Sequence, residues 1–524
     1  MVPGLALTVR YDTRTLAGIP GRTLMARQSK QQVKLAELDR AMSNAQSYVE
    51  WHEVAAEHDR LSGAEDWRDE DQCEWIHASE LRATIARLRK MRKRRESWTL
   101  LNAFQDALFR HQGECAQPEL YQVARAGTKR VIGEYLEELE TCFAYLLKLR
   151  RAGVDDHYRL SQVKRVGRVY GRPALMLSGG ALLGLFHFGV VKALFEQDLL
   201  PRTVSGSSMG SIIAAWACVH TDEELRDLFA DPSSINRDAL ARLSVGKMRD
   251  HATLMDQAKL RRFLRTVLGD RTFAGAMRHS RRILNITVSP LRKQRIPRLL
   301  NYLSAPEALV NTAVLASCAI PVAFKPVQLM ARRRGRVEPW MKNELWIDGS
   351  VHSDLPFDAL RQMLDINHFI TSQTNPHVLP LLSLYPTQPG LAAALVRAGT
   401  STYRHGSTQL LDILRRHSPG NGLRRQLDKA HAIYNQTYAS TDMHIQMPIR
   451  PRLYAKMLSN PTLEEFRDFT RMGELATWPR IPMIRDRTRL SRMFGNAIGG
   501  LMKRIEESPV TPDQPSRRGS PRSQ

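Results

Sequence analysis

The chain has 524 residues, 43% of them hydrophobic, and its 77 Lys and Arg against 53 Asp and Glu give a formal charge of +24. These figures exclude a disordered chain, allow one large core with additional domains, and favour an anionic partner such as a lipid surface or a nucleic acid. Cys73, Cys115, Cys142, Cys218 and Cys318 lie far apart with no CxxC pair, which argues against a disulfide framework or a zinc site and for a reducing compartment.

In chain order, residues 1–45 are polar without sustained periodicity and are expected to be disordered or loosely docked. Their opening, "MVPGLALTVRYDTRTLAG", has no basic segment running into an apolar stretch, so no secretory signal and an intracellular location are expected. Residues 46–165 read as a helical domain: Ile132, Leu136, Leu139, Phe143 and Leu147 recur at helical spacing, as do Leu101, Phe104 and Leu108. Within it, "LRATIARLRKMRKRRESW" puts Leu81, Ile85 and Leu88 on one face. Arg87, Arg89, Lys90, Arg92, Lys93, Arg94 and Arg95 form a dense positive block, either a solvated helix face or a contact for anionic headgroups.

From 171 to 380 short apolar runs bounded by Gly, Pro and Ser alternate with helical segments, the pattern of a mainly parallel α/β sheet. Residues 173–191, "PALMLSGGALLGLFHFGVV", approach the length of a membrane span, but Ser178, Gly179, Gly180, Gly184 and His187 suit a buried strand, a tight turn and a helix. A helical, basic extension is expected over 385–495, and a disordered tail rich in Ser, Pro and Arg over 507–524.

The sharpest chemistry lies in "RTVSGSSMGSIIAAWA", where a short β-branched strand passes through Gly206-Ser207-Ser208-Met209-Gly210 into an apolar helix. That is the context in which G-x-S-x-G forms a nucleophile elbow. The frame selects Ser208, flanked by Gly206 and Gly210 because the turn is too tight for side chains. Attack by a serine creates an oxyanion that needs preorganised N–H donors. Met209 N–H is one candidate. The others lie in the glycine-rich turn Gly179-Gly180-Ala181, which runs on to Gly184 and lacks both the Gly-Lys-Ser/Thr ending of a phosphate loop and the G-x-G-x-x-G of a dinucleotide site. No cofactor or metal is therefore expected. For the base, no histidine is marked by its placement, and His187 reads as packing. Asp348 in "ELWIDGSVHSDLP" ends an apolar strand before Gly349, where burial would raise its proton affinity.

Taken together, Gly179 to Gly184, Gly206 to Gly210 and Asp348-Gly349 resemble, in order, the three motifs of the patatin-like lipid acyl hydrolases, and "ASCAIPVAFKPV" at 316–327 is similar to that family's segment between elbow and aspartate. The resemblance implies a three-layer α/β/α core with a mainly parallel sheet, flanked by helical N- and C-terminal regions, and a Ser-Asp dyad without a catalytic histidine. Residues 51–147, 367–382 and 473–492 look like the branch of the triacylglycerol lipases of lipid droplets. It implies a lipid ester substrate, triacylglycerol or phospholipid, met at an anionic membrane or droplet surface. Two alternatives stay open: a lysolipid acyltransferase, for which "HATLMD" at 251–256 fits an H-x4-D spacing that chance also supplies, and a non-catalytic lipid-surface scaffold. Nucleic acid is not expected, since no finger, homeodomain or RNA-recognition pattern accompanies the charge.

Overall fold

The computed structural model describes residues 21–149, 154–231, 233, 237–241, 254–292, 298–321, 323–349, 354–375, 443–448, 453, 456 and 459–507. Residues 21–44, which the sequence pattern sets outside the fold, form helix α1 (Gly21–Asn44) packed on α2 (Tyr48–Ser62). Periodicity misses α1 because it lies on α2 mainly through polar contacts, Gln31 with the Leu61 carbonyl and Lys34 with Glu57, and of its side chains from residue 30 on only Met42 is buried. Ser47 caps α2, its hydroxyl accepting the Glu50 amide at 3.2 Å.

The helical region continues with α3 (Ala64–Asp69), α4 (Ala78–Lys93), α5 (Ser97–Arg110), α6 (Gln112–Cys115), α7 (Arg130–Lys148) and α8 (Asp156–Tyr170). Leu81, Ile85 and Leu88 of α4 pack with Ile132, Leu136 and Leu139 of α7, as their spacing requires. The basic block on α4 is partly structural. Glu138 of α7 is buried, and Arg89 and Arg92 meet its carboxylate at 3.0 Å, which gives a buried charge the partners it needs. Arg87 and Arg94 face Asp106 and Glu96 on the surface.

The sheet has the strand order β4-β3-β2-β1-β8-β9, from β1 (Arg172–Leu177), β2 (Thr203–Gly206), β3 (Ile283–Pro290), β4 (Arg298–Leu300), β8 (Ile366–Gln373) and β9 (Met443–Gln446). β5 (Met330–Arg333) and β6 (Arg336–Pro339) make a separate hairpin, and β7 (Trp346–Asp348) pairs with β3. Neighbours are parallel except β4 and β7, both antiparallel to β3.

Side chains alternate across β1. Leu175 and Leu177 enter the main core, whereas Ala174 and Met176 join a second cluster with Phe357, Leu360 and Leu364 of the helix Phe357–Leu364, so the sheet is buried on both faces. This is the three-layer α/β/α core with a mainly parallel sheet that the resemblance implies. The remaining helices are α9 (Phe186–Glu196), α10 (Met209–Val219), α11 (Asp222–Ala230), α12 (Gln257–Leu268), α13 (Phe273–Ser280), α14 (Val310–Ser317), α15 (Phe357–Leu364), α16 (Leu463–Thr477) and α17 (Ile481–Glu507).

The C-terminal segment is no appendage to a core ending near residue 380. β9 extends the sheet beside β8, and α16 lies against α9 so closely that a side chain at Gly189 would collide with the Thr470 carbonyl. Residues 173–191 are the buried strand, turn and helix their small residues indicate, and no helix among the described residues is long and apolar enough to cross a membrane.

Candidate active site

Three chain turns meet at the C-terminal ends of β1, β2 and β7. The first leaves β1 at Ser178 and passes through Gly179 and Gly180 into a 3-10 turn, Ala181–Leu185, that opens α9. Gly180 has φ 156°, and a Cβ there would lie 2.5 Å from Thr374 Oγ1. Ala181 is held at φ 49°, unusual for a residue with a side chain. Behind this turn, His187 is buried between Ser372 Oγ, 2.7 Å from Nδ1, and the Ser178 carbonyl, 3.0 Å from Nε2. Burial lowers its pKa to about 4, so it is a neutral packing group, as its place on an apolar helix indicates.

The second turn is the elbow. β2 is paired on both sides up to Gly206, which lies opposite Leu177 and Ile286. The chain then reverses into α10. Ser208 takes φ 50° and ψ −125°, a conformation neither Ser205 nor Ser207 shares, at a strain of about 1–3 kcal/mol. Its N–H donates to Ser317 Oγ at 3.0 Å, while its carbonyl accepts from Ser211 Oγ at 2.6 Å. A side chain on Gly206 would strike the Gly210 carbonyl, and one on Gly210 would strike the carbonyls of Leu177 and Ser178, so both glycines are required by close approach. Ser208 is 5% exposed and, with Ala181 and Met209, lines a cavity of about 110 Å³ whose walls include Phe188, Ile212, Trp216, Phe324 and Phe466.

β7 supplies Asp348. Val288 of β3 is paired with Arg298 of β4 on one side, so Asp348, also opposite Val288, occupies the other side, the one β2 uses up to Ile286. The two registers differ by two residues, roughly 7 Å of strand. β7 therefore takes over the edge of β3 where β2 departs into the elbow, and the fully buried Asp348 lies beside it. Its N–H donates to the Ala319 carbonyl at 3.1 Å. Gly349 follows because a Cβ there would lie 2.5 Å from Thr287 Oγ1.

One expected oxyanion donor is not available. The Gly179 N–H donates to Asp354 Oδ1 at 2.9 Å, so a carboxyl group, rather than the space over Ser208, receives it. The amides of Gly180, Ala181 and Met209 remain as candidates, the last two at the first positions of their helices, where N–H groups lack intrahelical acceptors. Sequence reasoning missed Asp354 and Ser317. Asp354 reads as a polar turn residue in "DGSVHSDLP", and a serine on an apolar helix gives no local sign of its partner. In the H-x4-D segment, His251 lies outside the described residues, and Asp256 caps α12 by accepting the amides of Ala258 and Lys259.

The description "Patatin-like phospholipase" matches residues 175–361, and a domain of unknown function, DUF3336, matches residues 27–168. Triacylglycerol lipase 5 of Saccharomyces cerevisiae is 31% identical over 91% of this chain and 67% of its own length. Triacylglycerol lipase ptl3 of Schizosaccharomyces pombe is 30% identical over 91% of this chain and 99% of its own. A triacylglycerol lipase of Arabidopsis thaliana is 32% identical over 72% of this chain, which spans 48% of that longer protein. With the family match over the sheet core and relatives about 30% identical over 91% of this chain, one of them matched over 99% of its own length, the chain belongs to the patatin-like phospholipase family of carboxylic ester hydrolases, in the branch that holds the triacylglycerol lipases.

Proposed function

We propose that the chain is a serine lipid acyl hydrolase that releases fatty acids from triacylglycerol or phospholipid through a Ser208–Asp348 dyad. The observation that carries this reading is the register on β3, which sets a buried carboxylate next to a serine held in a strained turn at the wall of an apolar cavity.

The Asp348 carboxylate takes the proton from Ser208 Oγ as that oxygen attacks the ester carbonyl carbon. The negative charge that develops on the carbonyl oxygen is met by the amides of Gly180, Ala181 and Met209, and one such donor is worth about 3 kcal/mol in the transition state. Collapse breaks the bond to the alcohol, which leaves with the proton from Asp348. Water then attacks the acyl-Ser208 ester while Asp348 takes its proton. The fatty acid departs, and Ser208 regains its hydrogen. The apolar walls suit an acyl chain and keep bulk water from the ester.

Contact with an anionic lipid surface belongs to the same reading, because the substrate does not dissolve. On α12, Leu260, Phe263 and Val267 line the cavity, and Arg261 and Arg262 on the same helix are exposed, so one helix offers both an acyl wall and a positive face. The test is product analysis on mixed vesicles and emulsions containing triacylglycerol, phospholipid and lysophospholipid. Free fatty acid as the dominant product supports hydrolysis. Acyl chains recovered chiefly on the lysolipid would replace it with acyl transfer.

A further inference from the structure

Asp354 is 1% exposed and accepts hydrogen bonds from two strand ends at once. The Gly179 N–H, just past β1, donates to Oδ1 at 2.9 Å, and the side-chain amide of Asn375, just past β8, donates to Oδ2. The Ser207 hydroxyl lies beside it, short of a full hydrogen bond. From the opposite side the Thr374 hydroxyl donates to the Gly179 carbonyl at 2.9 Å, and the Thr374 N–H donates to Ser178 Oγ at 2.8 Å. Both polar groups of Gly179 are thereby fixed, which sets the peptide plane leading to Gly180. A buried carboxyl is a costly way to fill space, and an apolar side chain of the same size could not hold this amide.

We propose that Asp354 is a positioning residue of the active site: by holding the Gly179 amide against Asn375, it turns the following amides of Gly180 and Ala181 toward Ser208. The inference rests on the reading of Ser208 as the nucleophile. Asp348 from β7 is the charged neighbour of Asp354. His187 of α9, which meets the same Ser178 and Thr374, is neutral, and Cys318 beyond α14, facing Asp348, has its thiol pushed up by burial. Burial first, and then the Asp348 charge, raise Asp354 to about 7.

The experiment uses the full chain on a soluble p-nitrophenyl ester from pH 5 to 9, with fluorophosphonate labelling and a melting curve for each variant. Asp354→Ala should lower kcat about 100-fold with KM within about threefold, and slow labelling to match, because the donors aimed at the oxyanion are lost while substrate binding is not. Asp354→Asn keeps a carbonyl acceptor for Gly179, with the Asn375 amide turning its own oxygen toward the new amide. It should hold kcat within about tenfold and lose the limb near pH 7 in kcat/KM, a change that a structural role alone would not produce. Should Asp354→Ala fail to fold, Asn375→Ala supplies the test, with kcat expected to fall about tenfold at unchanged KM. A folded Asp354→Ala or Asn375→Ala variant with wild-type kcat, or an Asp354→Asn variant with the wild-type pH profile, overturns the proposal. Ser208→Ala is run beside them: if it stays active, the reading of the whole site falls, whereas if it is inactive and Asp354→Ala is not, this inference alone falls.

Discussion

A Cβ on Gly184 would lie 2.5 Å from Met209 Cγ, so the end of the glycine-rich turn and the start of the elbow helix are in contact that leaves no space for a methyl group. That contact couples the two sets of candidate oxyanion donors near Ser208. Gly184→Ala should therefore lower kcat about tenfold or more on a soluble ester, since small displacements of oxyanion donors are expensive. Adding Met209→Ala should restore only part of it, because Met209 Cβ itself would be 2.7 Å from the new methyl. Steady-state kinetics on the single and double variants check this.

The strain at Ser208 separates stability from activity. Glycine takes φ 50° readily, so Ser208→Gly should be inactive yet at least as stable as wild type, the relief of about 1 kcal/mol or more offsetting the greater freedom of the unfolded chain. Melting temperature and ester turnover on the same preparation test the pair of outcomes.

Asp354 gives stability a pH dependence with a definite sign. Its carboxyl is raised to about 7 from the ordinary aspartate range, chiefly by burial, so the folded chain binds a proton there that the unfolded chain releases. The resulting stabilisation is fully present below about pH 4 and is lost as pH rises through about 7. Asp354→Asn has no such proton, so its melting temperature should gain on wild type between pH 5 and pH 8. Differential scanning calorimetry at both pH values measures the difference.

The α4 and α12 arginines should behave differently. Arg92→Ala removes one of the two guanidinium partners of the buried Glu138, leaving Arg89 and the Cys142 thiol, and should destabilise the chain by roughly 1–3 kcal/mol, with little effect on vesicle binding. Charge reversal at Arg261 and Arg262 should instead weaken flotation with anionic vesicles, at about 1 kcal/mol per charge, and leave turnover of a soluble ester intact. The flotation loss should shrink at high salt, where surface charges are screened.

How far the sequence reveals this site follows from the range of the contacts. The elbow and its glycines are legible because a strand, a strained serine and a helix are consecutive in the chain, and Asp348 because it ends an apolar run before a glycine. Ser317 reaches the Ser208 amide across 109 residues, and Asp354 reaches Gly179 across 175, so neither contact leaves a local pattern. The same holds for β9, four residues whose role in the sheet is set by their pairing with β8. The basic run on α4 misleads for a related reason: the acid that claims Arg89 and Arg92 lies on α7, on the buried side of a helix whose apolar periodicity hides one glutamate.

The account turns on Ser208 and Asp348 acting as a pair, and fluorophosphonate labelling of wild type, Ser208→Ala, Asp348→Asn and His187→Ala, with acyl release measured on the same samples, tests this most directly. The dyad predicts that labelling and hydrolysis vanish with Ser208→Ala and fall by orders of magnitude with Asp348→Asn, whose amide cannot accept the serine proton. Folded His187→Ala should keep the label, because that ring only packs behind the turn. Near-normal labelling and acyl release in a folded Asp348→Asn variant would contradict the account.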